Sequence, residues 1–172
     1  MEMDNKRKDL IANVAAVLLF LVTYGLCVLF GWLDIANGLF TSTGENVGKV
    51  FETPIAYTLV CLLFFAVMYA LAVMGIKLKN KVMVLLPLLY EVILILSIVM
   101  LAFYATGGIE NETLFGIVGW VLVFGLAPAF GPMWSLSVWL VILMVIALII
   151  ATIVGLVKVF KKDNTEKKPA KK

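Results

Sequence analysis

The sequence predicts an all-α membrane protein: four transmembrane helices with both termini cytoplasmic, plus a re-entrant or interfacial helix before the last span. Three observations lead there. Hydrophobic residues make up 63% of the 172, whereas soluble domains hold about 45–50%. Four apolar runs each reach the roughly 20 residues that a helix needs to cross a bilayer. The basic residues gather at the two chain ends and in one short loop, so charge gives an orientation as well as a span count.

Residues 1–9, MEMDNKRKD, form a charged N-terminus with Lys6, Arg7 and Lys8 ahead of the first apolar run. Residues 10–32 read as a retained first span, because no small-x-small cleavage pattern closes the run. Asn13, Thr23 and Tyr24 are its polar members, and Trp32 suits an interfacial boundary. Residues 33–54 carry Asp34, Gly38, the Thr41-Ser42-Thr43-Gly44 cluster, Gly48 and Pro54, which predict an exposed loop. Pro54 suits the first turn of the next helix, where its missing N–H costs nothing.

The second span, 55–76, holds no charge and ends at Lys77, Lys79 and Lys81, a loop so short that it predicts a tight hairpin. The third span follows at 82–105. Residues 114–133 are apolar but broken by Gly116, Gly119, Gly125, Pro128, Gly131 and Pro132, and the run 114–130 barely reaches spanning length. The last span, 134–157, closes at Lys158, Lys161 and Lys162. Residues 161–172 form a basic tail, predicted to be disordered and able to meet anionic lipid headgroups.

Of the fourteen basic residues, only Lys49 falls outside the N-terminus, the 77–81 loop and the C-terminal tail. Placing those three on one side follows the positive-inside rule and requires an even number of crossings. That excludes 114–130 as a fifth span and makes it an outer-face segment packed on the transmembrane domain, 10–160. Its glycines and prolines are tolerable at membrane depth only where protein covers the backbone.

Helices pack in lipid by close approach at small residues. Ala12 and Ala16 on the first span, Ala66 and Ala70 on the second, and Ala147, Ala151 and Gly155 on the last are the candidate seams. The third span has no such pair and is expected to sit further out.

Enzymatic chemistry has little to stand on. The chain has no histidine, and its two cysteines, Cys27 and Cys61, lie inside separate apolar runs. Neither a Walker A loop, HExxH nor GxSxG occurs. No catalytic residue, cofactor or metal is therefore expected, and no nucleic-acid partner. The exception to the apolar interior is Glu91, about 15 Å along its helix from Lys81. With no basic residue in any span, three readings stay open: a neutral carboxyl that donates a hydrogen bond, an ion- or proton-binding group in a wet cavity, or a contact for a partner's cation. Tyr69 and Thr152 lie nearest in depth, and Pro87 frees a carbonyl one turn below and introduces a helix kink. Four spans with one membrane glutamate resemble the small multidrug resistance transporters in architecture, but that family's glutamate belongs to the first helix, which has none here.

The function expected is that of a non-enzymatic integral membrane accessory or interaction subunit, assembling as a homo-oligomer or with another membrane protein. The alternative is a small proton- or cation-coupled transporter or channel using Glu91. A lysine-rich, histidine-free chain fits a bacterial plasma membrane.

Overall fold

The structure is a computed structural model that describes residues 2–41, 55–106 and 112–166. These form five helices with no strand among the described residues: α1 (Glu2–Thr41), α2 (Ile55–Leu78), α3 (Lys81–Ala105), α4 (Glu112–Ser135) and α5 (Val138–Glu166). Four of them are long and apolar enough to cross a membrane, over Arg7–Leu33, Ile55–Leu78, Lys81–Phe103 and Val138–Lys161. This is the build of a multi-pass membrane protein.

Two helices are longer than their apolar runs. α1 takes in the charged N-terminus and continues past Trp32 to Thr41, where the Thr-Ser-Thr-Gly cluster begins. Asp34 and Gly38 are weak helix formers but do not break a helix that is already propagating. The rest of the expected loop, with Pro54, lies outside the described residues. α5 begins at Val138 because Trp134 and Ser135 belong to α4. It then runs on through Lys161 and Lys162 to Glu166, so the first part of the basic tail is helical; 167–172 lie outside the described residues.

The α2–α3 hairpin is built by its two connecting residues. Lys79 adopts φ 54°, the left-handed conformation that ends helices. The Asn80 N–H then reaches back to the Gly75 carbonyl at 2.9 Å. Asn80 also starts α3, its Oδ1 accepting from the N–H groups of Val82 at 3.0 Å and Met83 at 3.4 Å. Its Nδ2 donates to Asn13 Oδ1 at 2.6 Å, which ties the turn to α1.

This hairpin lies inside the bundle together with α4. α2, α3 and α4 each touch every other helix, whereas α1 and α5 do not touch one another among the described residues. The expectation that the third span sits further out is therefore wrong. α3 needs no small residues of its own, because Val84 is the knob and its neighbours supply the glycines. A methyl group on Gly75 would lie 2.6 Å from Val84 Cγ2, and one on Gly155 would lie 3.0 Å from Val84 Cγ1. Lys81 caps the same end, its Nζ 5.3 Å over the Phe160 ring, so the start of α3 meets the end of α5.

The alanine seams divide. Ala16 is buried and Ala12 packs against the same core, and Gly155 is buried with Ala151 half-buried. Ala66, Ala70 and Ala147 do not close a helix interface. They are exposed and line an open groove between α2 and α5. The core itself is aromatic: Phe64 and Tyr90 pack edge to face with centroids 4.8 Å apart, and Phe20 and Tyr24 stack at 5.6 Å.

Two substitutions test the turn by reversible detergent denaturation. Lys79→Gly relieves the left-handed conformation and is expected to stabilise by about 1 kcal/mol. Asn80→Ala removes the cap and the link to α1 and is expected to cost about 1–2 kcal/mol.

Candidate functional site

Polar groups inside this bundle fall into two places. The larger is a row of backbone carbonyls on α4. Pro128 has no N–H to offer the Phe124 carbonyl. Tyr24 Oη on α1 donates to that oxygen instead, at 2.8 Å. Tyr57 Oη on α2 donates to the Ala127 carbonyl at 2.5 Å, and the Cys61 thiol approaches the same oxygen at 3.5 Å. Thr58 Oγ1 donates to the Gly131 carbonyl at 3.2 Å. Ser97 Oγ on α3 divides its proton between its own helix, at Ile93 (2.9 Å), and Val121 of α4 (3.0 Å).

Val121, Phe124, Ala127 and Gly131 recur every three or four residues, so their carbonyls lie along one side of α4. Missing side chains let the other helices reach them. A methyl on Gly125 would overlap the Ser97 side chain, and one on Gly131 would lie 3.1 Å from both Cys61 Sγ and Thr58 Cα. Sequence reading took Gly125, Pro128, Gly131 and Pro132 for breaks in 114–133. They are instead the packing face of one continuous helix, in which Ala127, Pro128, Ala129, Gly131 and Pro132 are all buried. The signal was available in the three-to-four spacing of small residues and prolines from Gly125 to Pro132.

The second polar place is Glu91. Its Oε1 accepts a 2.7 Å hydrogen bond from Thr152 Oγ1, joining α3 to α5. Glu91 is 5% exposed and Thr152 fully buried. Tyr69 is not part of this pair. Its ring is 49% exposed in the α2–α5 groove, and it makes no hydrogen bond to Glu91. Depth along a span places a residue in height but not in azimuth, and Tyr69 shares the height alone. Pro87, one turn before Glu91, is fully buried, and α3 continues through it.

Tyr90, the residue before Glu91, points the other way into the Phe64, Phe65 and Tyr24 rings. Its hydroxyl is buried and has no hydrogen-bond partner among the described residues. Cys27 and Cys61 are both free and buried, and their thiols are neighbours between α1 and α2. Among the described residues, no three histidine, cysteine or acidic side chains converge as metal ligands. Comparison with known proteins gives no match, whether to a family model, a curated protein or a solved structure.

Chemically, the Glu91–Thr152 arrangement is an interhelical hydrogen bond with one titratable member and no cation beside it among the described residues. Thr152→Val keeps the shape and deletes the donor, leaving a buried carboxyl unpaired. A loss of about 1–3 kcal/mol in detergent denaturation is expected. Gly125→Ala is expected to cost more than Gly25→Ala, where an added methyl meets nothing within 4 Å, and Ser97→Gly in the same chain is expected to recover part of the difference. Equal effects at the two glycines would count against close α3–α4 contact at Ser97.

Proposed function

We propose that this chain is a non-enzymatic membrane accessory or interaction subunit, and that Glu91 serves the fold. The observation that carries this reading is the closure of Glu91: 5% exposed, bonded to Thr152, with neither a basic group nor a second acid beside it among the described residues. An ion route through a membrane calls for further polar groups along a path. Tyr24, Tyr57, Thr58 and Ser97 are instead turned onto α4 carbonyls, where they hold a helix in place.

In the proposed topology both termini lie in the cytoplasm of a bacterial plasma membrane, and α4 is a re-entrant or surface helix on the outer face. Charge supports the orientation, since Lys6, Arg7, Lys8, Lys77, Lys79, Lys81 and the tail lysines would share one side. Helix pairing supports the place of α4. The start of α3 meets the end of α5, so the end of α3 and the start of α5, which α4 connects, lie together at the opposite end. Trp120 of α4 stacks on Trp32 there, with centroids 5.1 Å apart.

The second reading, proton- or cation-coupled transport through Glu91, draws on the unpartnered Tyr90 hydroxyl, which a water molecule would satisfy. Two measurements separate the readings. Pulldown from native membranes is expected to recover a stoichiometric membrane partner or a homo-oligomer, unchanged in Glu91→Gln. Reconstituted protein that moves protons down an imposed gradient, with the flux lost in Glu91→Gln, would overturn the subunit reading.

A further inference from the structure

The open groove between α2 and α5, lined among others by Leu62, Ala66, Tyr69, Ala70, Met74 and Ala147, holds about 590 Å³. We propose that it binds one acyl chain of an anionic phospholipid, with Lys77 and Lys158 holding the phosphate at its mouth.

Size favours an alkyl chain. From Leu62 to Met74 the groove follows about 18 Å of helix rise. That is close to the depth of one leaflet's hydrocarbon, about 15 Å or half the core thickness. A transmembrane helix, about 10–12 Å across with its side chains, is too thick to enter a space of that volume over that length. The alanines make the channel, since any larger side chain at Ala66, Ala70 or Ala147 would project into it.

Charge selects the lipid class. Lys77 lies about three turns beyond Ala66, and Lys158 about three turns beyond Ala147, so each continues the groove-lining face of its own helix toward the same end. α2 and α5 run parallel, with Gly155 beside Ile76, which brings the two lysines to one height. Both are exposed, and neither has an ion-pair partner among the described residues. Lys81, by contrast, is turned onto Phe160. An apolar channel one leaflet deep, ending in two available ammonium groups, is complementary to a phosphodiester carried on an acyl chain. The inference does not depend on what the chain assembles with, nor on which face of the membrane the lysines occupy.

The test gives full-length protein, in neutral detergent micelles, equimolar palmitoyl-oleoyl phosphatidylglycerol and phosphatidylcholine, and counts retained lipids by native mass spectrometry. One phosphatidylglycerol is expected, preferred roughly thirtyfold from the contribution of two near-surface lysines. Lys77→Gln with Lys158→Gln is expected to abolish the preference, and Ala70→Phe to abolish retention of both lipids. Ala147→Phe fills the same space from the other wall and gives the same reading should Ala70→Phe fold poorly. Equal retention of the two lipids overturns the proposal, as does a preference that survives the lysine pair, which would belong to the tail. Retention unchanged by filling the groove also overturns it. So does a dimer that Ala70→Phe converts to monomer, since that gives the groove to a second copy.

Discussion

A backbone carbonyl in hydrocarbon has no water to turn to, and α4 carries two prolines that deprive carbonyls of their helical partners. Tyr24 of α1 meets that constraint at the Phe124 carbonyl, which Pro128 leaves without its helical donor. An orphaned amide group costs several kcal/mol in an apolar medium, whereas an interhelical hydrogen bond in a membrane contributes only about 0.6 kcal/mol on average. The Tyr24 hydroxyl therefore matters less for what its bond adds than for the penalty it averts, whereas Tyr57, Thr58 and Ser97 add bonds to carbonyls that no proline deprives. All four also fix the rotation of α4, because only one side of that helix offers carbonyls to donors on three different neighbours.

Packing and polarity depend on one another along this seam. Tyr57 reaches the Ala127 carbonyl past Gly31, where an added methyl would lie 2.9 Å from its hydroxyl. Glycine at 125 and 131 admits Ser97, Thr58 and Cys61 in the same way. The α2–α3 hairpin uses the same device without polarity, driving Val84 between Gly75 and Gly155. Close approach at glycine is thus the common means, once to bring dispersion contacts into range and once to bring donors to carbonyls. Glu91 and Thr152 fit this scheme as a further interhelical pin, placed between α3 and α5, where α4 supplies no such bonds.

The apolar spans were legible because length and hydropathy are properties of contiguous residues, and the 77–81 turn because so few residues allow only a hairpin. The helix ends were less so, since α1 and α5 carry charged turns that propagate from a stable apolar core. Pairing across the bundle was legible in part. Depth counting drew attention to Thr152 beside Glu91 but gave Tyr69 equal standing, because azimuth is set by tertiary packing. The α4 seam was misread: Gly and Pro are breakers by local propensity, and the donors that make them tolerable lie as far as 100 residues away. The small residues of the second span were likewise assigned to an internal interface, when two of them face an open groove.

The central claim is that side-chain hydroxyls from α1, α2 and α3 hold α4 by its carbonyls. Hydrogen exchange of the full-length protein in micelles, followed over Glu112–Ser135, tests it most directly when wild type is compared with a chain carrying Tyr24→Phe, Tyr57→Phe, Thr58→Val and Ser97→Ala. The account predicts that α4 amides exchange at least about tenfold faster in the variant while the amides of α2 and α3 keep their protection. Unchanged exchange across α4 would contradict it, because the helix would then be held by apolar packing alone.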